Sequence, residues 1–344
     1  MKTGLKSIAI ALSGGIDSLV SGYILKQHFP HVFGIHFSTG YENNVFDLSP
    51  IAKQLDIDIK NIDLSSLFEK KVVNYFINTY LSGKTPNPCI ICNKTIKFGA
   101  LLEVAESYGA EAIATGHYAK ILYNSDYHSL VKGIDNLKEQ SYFLSLLSEK
   151  ELSKIVFPLG NLTKVEVKKL AHEKNLIPLE KKESQDICFL KNESIDQFIN
   201  SKINLESIPG DIITNDGKII GTHKGLYNFT IGQRRGINCP SSEPYYVKEI
   251  DSENNVLVVC FKNEMLSKNF SVTSLNWIEK NIKFPLNATT KIRYNHKQSP
   301  SILTENNNSK IIDVTFLDQQ FAITPGQTAV FYDNNVVLGS GIII

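Results

Sequence analysis

The chain opens with a short apolar run, Ser7 to Leu12, that breaks at Ser13-Gly14-Gly15-Ile16-Asp17-Ser18 and resumes as Leu19, Val20, Tyr23 and Ile24, spaced for one face of a helix. Strand, turn and helix follow from that change of period. The alternation repeats as far as about Thr115. Ser7–Leu12, Val32–Phe37, Asp58–Asp63 and Ala112–Thr115 predict strands, and Asp17–His28, Asp47–Leu55, Ser66–Ser82 and Lys94–Tyr108 predict the amphipathic helices between them. Such alternation implies a parallel sheet with helices on both faces, whose ligands bind outside the carboxyl ends of the strands. The Gly14 loop, the segment after Phe37 and Gly116-His117-Tyr118 are therefore expected to meet in one crevice.

Helical spacing continues through Gln140–Lys154, Lys164–Asn175 and Ile195–Lys202. After Pro209-Gly210 the text changes to short β-like runs broken by Asn215-Asp216-Gly217, by Gly232 and by Asp251 to Asn255 ahead of Val256–Phe261. A second all-β stretch begins near Val272, with strands at Thr290–Tyr294, Lys310–Phe316 and Ala329–Tyr332 and a hairpin tip in the polar run Thr304 to Lys310. The expectation is an α/β protein of 344 residues in three parts: a parallel-sheet domain at 1–203, a β-rich central domain at 204–270 and a small β-barrel or sandwich at 271–344.

Composition narrows the class. Hydrophobic residues at 42% and charged residues at 21% are ordinary for a globular protein, and apolar stretches such as Val256–Phe261 are far too short to cross a bilayer. Met1 to Lys6 leads straight into the first strand with no room for a signal peptide, and five cysteines, an odd number, suit a reducing compartment. A cytoplasmic location without membrane association is expected. Net charge is +1, so no global field gathers nucleic acid and any basic surface must be local. Of 36 basic residues only Arg234, Arg235 and Arg293 are arginine, the residue whose planar fork suits phosphates and base edges.

The chemistry starts at the Gly14 loop. Its backbone N–H groups and the following helix N-terminus form a phosphate pocket, the two glycines allow close approach, and Ser13 and Ser18 add hydroxyl donors. The loop has no lysine of the kind that grips a transferable γ-phosphate, so it suits pyrophosphate, with Asp17 available to the accompanying Mg²⁺. That points to an enzyme cleaving ATP to AMP and pyrophosphate; the plain alternative is a Gly-rich turn with an Asp/Ser cap. In Thr85-Pro86-Asn87-Pro88-Cys89-Ile90-Ile91-Cys92-Asn93-Lys94 the prolines force an extended approach. Both thiols are then expected just before a helix starting near Lys94, where its N-terminus would lower their pKa. The C-x-x-C spacing alone reads as a redox pair, half a metal site, or a nucleophile with a neighbour. Structural zinc would need a second pair, and Cys239 and Cys260 are not spaced as one. Gly83-Lys84-Thr85 mimics the end of a P-loop, but Asn78 stands where the first glycine is required. Cys188, in Ser184-Gln185-Asp186-Ile187-Cys188-Phe189 after Lys181 and Lys182, reads as a loop thiol, Cys260 as a buried strand residue and Cys239 as a loop residue without a role.

These strings together resemble the tRNA-specific 2-thiouridylase family, bacterial enzymes that place sulfur on the wobble uridine of tRNA. The likeness runs nearly end to end: SGGIDS, TPNPCIICNKTIKFG at 85–99, ATGHYAK at 114–120, EQSYFLSLL at 139–147, ESQDICF at 183–189, LYNFTIGQRRGI at 226–237 and TPGQTAVFY at 324–332. It implies a PP-loop ATP pyrophosphatase domain of the adenine nucleotide hydrolase-like type, a β-rich central domain and a C-terminal β-barrel. Carried over by position, it implies ATP contacts at Ala11, Leu12, Ser13, Gly14, Gly15, Ile16, Asp17, Ser18, Phe37 and Gly116. The same likeness makes Cys92 the catalytic thiol and Cys188 the persulfide carrier, with a disulfide between them as one route of turnover. It implies tRNA contacts at Asn87, Pro88, Cys89, His117, Lys138, Glu139, Gln140, Arg293, Tyr294 and Gln327; Arg234-Arg235 is a weaker RNA candidate.

Two departures stand out: Cys89 replaces an aspartate of many relatives, and the segment from Phe37 to Asp47 is shorter than in familiar members. Three thiols then face one site, compatible with a persulfide relay or with an iron–sulfur cluster on Cys89, Cys92 and Cys188; the relay is favoured because free thiols need only deprotonation. The implied reaction adenylates the uridine C2 oxygen, with ATP and Mg²⁺ as reactants and a persulfide sulfur-donor protein as partner. Sulfur then attacks C2 directly, or Cys92 first liberates sulfide. Rival readings are an ATP pyrophosphatase amidating a small molecule and a non-catalytic tRNA-binding protein.

Overall fold

The computed structural model describes residues 4–42, 47–123, 127–180, 187–191, 193–203, 208–306 and 310–344. In the first part, β1 (Ser7–Ala11), β2 (His31–Ser38), β3 (Ile59–Asp63), β4 (Ala112–Ala114) and the two-residue strand Ile155–Val156 form one parallel sheet. Its order places β2 and then β3 on one side of β1, and β4 and then Ile155–Val156 on the other. Ile8, Ala9 and Ile10 are all fully buried because both faces are covered. Ile8 and Ile10 pack towards Leu19, Val20, Ile51 and Val167, on helices α1 (Ile16–Lys26), α2 (Ser49–Leu55) and Lys164–Glu173. Ala9 packs towards Phe68, Phe76, Phe98 and Leu101, on the helical runs 65–81 and 88–107. Each of those runs contains a π-helical turn, at Glu69–Val73 and at Asn93–Ala100.

The second part is a four-stranded sheet of Gly210–Thr214, Ile219–His223, Tyr246–Asp251 and Val256–Cys260, closed over Ile212, Phe229, Val247, Leu257 and Val259. The third is a six-stranded closed barrel of Leu266–Trp277, Leu286–Lys291, Ser299–Glu305, Ile312–Phe321, Thr328–Asp333 and Val336–Ile343, sealed by pairing of its first and last strands. The protein is thus an α/β parallel-sheet domain followed by a β-rich middle domain and a C-terminal β-barrel.

Several expectations are corrected. Gln140–Lys154 is not one helix but a 3₁₀ turn at Ser141–Leu144 and a capped turn at Glu149–Leu152. The carbonyls a helix would use are taken by the barrel: Ser145 O accepts from Asn276 Nδ2 at 2.8 Å and Ser340 Oγ at 3.0 Å, and Leu147 O from Asn276 Nδ2 at 3.0 Å. A hairpin, Ala119–Tyr123 with His128–Lys132, leaves the first sheet and extends the barrel sheet through Val131 opposite Val336. The strand expected at Thr290–Tyr294 ends at Lys291, so Arg293 and Tyr294 lie in a turn. Ser184, Gln185 and Asp186, with Lys181 and Lys182, and part of the Thr304-to-Lys310 tip lie outside the described residues.

The discarded P-loop mimic proves to be a joint. Gly83, at φ +70°, lies so close to the middle domain that a Cβ there would stand 2.9 Å from Ile250 O. Thr85 N donates to Pro325 O at 2.9 Å, and Gln327 Nε2 to Thr85 O at 3.2 Å and Pro86 O at 3.0 Å. Both β domains therefore dock on the segment leading into Cys89.

Candidate active site

The Gly14 loop leaves β1 and enters α1 at the point where the strand order reverses, between β2 and β4, which is where an open parallel sheet binds its ligand. Gly14 takes φ +86°, a conformation glycine adopts without strain. Gly15 caps α1 in extended conformation, and the two serines brace the turn: Ser13 Oγ lies 3.3 Å from Ser18 Oγ, and Ser18 Oγ donates to Gly15 O at 3.0 Å. Across the loop, Leu179 N and Glu180 N donate to Gly14 O at 3.0 and 3.2 Å, so the chain heading towards Cys188 is tied to the Gly14 loop.

Asp17, in the first turn of α1, accepts from Tyr118 Oη at 2.7 Å and from Lys164 Nζ at 2.8 Å (Oδ1) and 2.7 Å (Oδ2). Tyr118 follows β4 and is fastened by Gln140, whose Oε1 accepts Tyr118 N at 2.9 Å and whose N donates to Tyr118 O at 3.0 Å. Gly116 is packed against α1: a Cβ there would stand 2.9 Å from the Asp17 carbonyl carbon and 3.0 Å from its Cβ. Gly116→Ala must therefore push the Asp17 turn out of place, and ATP affinity measured by calorimetry should fall about tenfold or more; affinity within twofold of the parent would remove this packing from the site.

The thiols come from two segments. Asn87 Oδ1 accepts Ile90 N at 3.3 Å and Pro88 follows it, so a helix starts at Pro88 and runs through Cys92. This corrects the expected start near Lys94: Cys89 and Cys92 lie within the helix. The expected lowering of their pKa is also overturned. Burial pushes the Cys92 thiol up to about 11 and raises Cys89, with Lys97 pulling both the other way. Burial, reinforced by Cys92 and Cys89, pushes Cys188 up to about 12, again against Lys97. Cys89 and Cys188 present surface to solvent, yet the walls of the crevice desolvate their sulfurs. All five cysteines are free thiols, without a disulfide. Cys188 sits beside Phe189, which anchors its turn against Tyr41 (5.9 Å), Phe68 (5.9 Å) and Phe76 (5.1 Å). The segment after β2 thus backs the Cys188 turn through Tyr41.

A thiol with pKa near 11 holds on the order of one thiolate in ten thousand at pH 7. Alkylation of Cys92 by iodoacetamide in the substrate-free protein should therefore climb about tenfold per pH unit from pH 7 to 10. A plateau below pH 9, read by mass spectrometry, would mean the helix N-terminus outweighs burial.

Other expected site residues are placed as follows. Ala11 and Leu12 lead into the loop, and Leu12 N donates to Ile35 O at 2.8 Å; Phe37 is half-buried near the end of β2. His117 is buried between Phe98 and Phe157, its Nδ1 2.7 Å from Thr115 Oγ1, and burial with Lys97 nearby holds it neutral, well below the ordinary histidine range. Glu139 is buried, with Oε1 accepting Ser141 N at 2.5 Å. Lys138 N donates to Asp135 Oδ1 at 3.2 Å. Arg293 Nη1 donates to Phe321 O and Ala322 O at 3.4 and 3.2 Å, and Tyr294 packs on Phe143 with centroids 4.4 Å apart. Arg234 and Arg235 are exposed. Cys260 is buried in its strand as expected, and Cys239 packs beside Gly221. Three residues of the site have no role assigned from sequence: Tyr118, Lys97 and Lys164. Only Lys164 carries a signal of its own, a cation at the first position of a helix, where the dipole disfavours it.

Among the described residues no group of three or more His, Cys, Asp or Glu side chains is disposed to hold a metal ion. Asp17 alone suits Mg²⁺ borne by a nucleotide, because Mg²⁺ uses one or two carboxylates and takes its other ligands from phosphate and water. No helix among the described residues is long and apolar enough to cross a membrane.

A parallel sheet with a Gly-Gly loop at its switch point, followed by two β domains docked on the segment that leads into Cys89, defines the class. Family models match in the same order: a tRNA methyl transferase HUP domain at residues 6–192, a tRNA methyl transferase PRC-barrel domain at 196–261 and an aminomethyltransferase β-barrel domain at 267–343. Relatives similar over nearly their whole length carry one name, tRNA-specific 2-thiouridylase MnmA. That of Desulfosudis oleivorans is 46% identical over 98% of this chain and 94% of its own. That of Desulfotalea psychrophila is 40% identical over 97% and 98%, and that of Chlorobium luteolum 39% over 100% and 97%. The chain belongs to the tRNA-specific 2-thiouridylase family.

Proposed function

We propose that this protein thiolates C2 of the wobble uridine in tRNA, consuming ATP and releasing AMP and pyrophosphate. One observation carries the reading: the Gly-Gly loop at the sheet's switch point is hydrogen-bonded to Leu179 and Glu180, on the way to Cys188, whose thiol feels Cys92 and Cys89 electrostatically. A phosphate site and a thiol cluster joined in this way suit an activated-base sulfur transfer. A small-molecule amidase needs neither the thiols nor two further domains.

The uridine C2 oxygen attacks the α-phosphorus of ATP, the bond to the β-phosphate bridging oxygen breaks, and pyrophosphate departs. The loop N–H groups of Gly14 and Gly15 with the Ser13 and Ser18 hydroxyls would meet the charge. Mg²⁺, when bound with ATP, supplies further charge neutralisation at the phosphates, with Asp17 as its protein ligand. The terminal sulfur of a Cys188 persulfide attacks C2 and AMP leaves with the former carbonyl oxygen. Cys92 then attacks Cys188 Sγ, so the S–S bond to the base breaks and a Cys92–Cys188 disulfide forms, which two equivalents of an external thiol reduce while being oxidised to their own disulfide. Alternatively Cys92 attacks the persulfide first and releases the sulfide that reacts. The base must leave the anticodon stack, which costs a few kcal/mol, and contacts from Asn87, Pro88, Cys89, His117, Lys138, Glu139, Gln140, Arg293, Tyr294 and Gln327 are proposed to offset it. His117, Glu139 and Pro88 are buried, which suits contact with an inserted base better than contact with the outer RNA backbone.

The test is anaerobic purification with iron and sulfide analysis, followed by AMP release and 2-thiouridine formation on an unmodified tRNA transcript with a persulfide donor. AMP release that depends on tRNA, from iron-free protein, is expected. AMP release that ignores tRNA would favour the small-molecule reading.

A further inference from the structure

The phosphate loop has no lysine of its own, and the fold delivers one from 147 residues away. Lys164 is the first residue of the Lys164–Glu173 helix, capped by Thr163 with Glu166 in a reciprocal box. A cation there opposes the helix dipole, and the residue is only 7% exposed. Both costs call for a strong partner, and Lys164 Nζ reaches both carboxylate oxygens of Asp17, at 2.8 and 2.7 Å.

The two ends of this pair are held differently. Asp17 is fixed in the first turn of α1: Ser21 Oγ donates to its carbonyl at 2.8 Å, Tyr118 Oη to its carboxylate at 2.7 Å, and the Gly116 backbone packs behind it. The Lys164 main chain is pinned too, its N donating to Asp135 Oδ2 at 2.7 Å. The lysine's methylene chain carries the rotatable bonds through which its ammonium could change partner. Without nucleotide the pair is neutral and keeps a bare carboxylate from facing an incoming polyanion. With nucleotide, a metal-seeking carboxylate and a phosphate-seeking ammonium occupy the mouth of the same loop, each holding the other's partner place.

We propose that Lys164 is a phosphate-binding residue held in reserve by Asp17: when Mg–ATP enters the loop, Asp17 exchanges the ammonium for the metal and Lys164 turns onto the phosphate oxygens. The proposal rests on the ATP reading above. No covalent bond changes in this step; one ion pair becomes two. The competing account is a static clamp in which Lys164 only props Asp17.

The experiment uses full-length protein and two binding probes, with no turnover. Calorimetry with Mg–pyrophosphate and with the Mg complex of α,β-methylene-ATP is run on the parent, Lys164→Met, Lys164→Gln and Lys164→Arg; Mn²⁺ alone is titrated by electron paramagnetic resonance. The exchange predicts at least about tenfold weaker Mg–pyrophosphate binding in Lys164→Met and Lys164→Gln, and a loss within about threefold in Lys164→Arg. It also predicts that nucleotide-free Lys164→Gln binds Mn²⁺ at least about fivefold more tightly than the parent, and that adding Asp17→Asn removes the gain. Unchanged Mg–pyrophosphate affinity in a folded Lys164→Gln, or no gain in Mn²⁺ binding, overturns the exchange. Should Lys164→Met fail to fold, Lys164→Gln, which keeps a donor to Asp17, carries the test. Failure of the parent to bind either phosphate probe would instead overturn the ATP reading and leave the lysine out of account.

Discussion

Alanine at Cys92 or at Cys188 should each lower tRNA thiolation by about a thousandfold or more while ATP binding stays within about twofold. The two thiols are placed to act as a unit: burial protonates both, each belongs to the same electrostatic neighbourhood, and Lys97 opposes the rise at each. In the relay proposed above neither replaces the other, because one carries sulfur and the other releases it. Their single losses should therefore be as severe as the double loss, which is the signature of residues sharing one step. Single-turnover assays with a persulfide donor read the effect, and calorimetry reads ATP. Thiolation at the parental rate in either variant would end the relay. Cys89→Ser provides the contrast: the relay expects thiolation to continue, since it gives that thiol no obligatory part.

Asp17→Asn should suppress tRNA-dependent AMP formation by about a hundredfold or more. Asparagine keeps the size of the side chain and can still accept from Tyr118, but it leaves the buried Lys164 ammonium without its counter-charge. Removing one partner of a buried pair is costly; because the Asp17 side chain is one-third exposed, the expected stability loss is only about 1–3 kcal/mol. The thermal midpoint measures that part separately from AMP release. AMP formation at the parental rate would take Asp17 out of any role at the phosphates, whatever the melt shows.

Much of this site is legible in the amino-acid sequence, because its first elements are local. The run Ser7–Leu12, the paired glycines and the spacing of Leu19 and Val20 specify strand, turn and helix within about twenty residues, and β1 and α1 follow them closely. Cys260 is legible as core for the same reason. What the local pattern misses is decided at long range. The hairpin Ala119–Tyr123 with His128–Lys132 has the alternation of two strands, but its place depends on Val336, some two hundred residues on. The 140–154 stretch has helical spacing, yet Asn276 and Ser340 claim its carbonyls. The thiol pKa values escape the local pattern for a related reason. A helix N-terminus is visible in the sequence, whereas the walls that desolvate Cys92 and Cys188 come from segments far apart in the chain. Lys164 escapes it too, because its partner, Asp17, sits at the other end of the domain.

The most direct measurement of the central claim follows the oxygen that sulfur replaces. A tRNA transcript carrying ¹⁸O at C2 of its wobble uridine is thiolated with unlabelled ATP in a single turnover, and the products are read by mass spectrometry. Adenylation of the base predicts ¹⁸O in AMP, in about one-to-one proportion with 2-thiouridine formed. Label recovered in water or in pyrophosphate, with unlabelled AMP, would contradict the account.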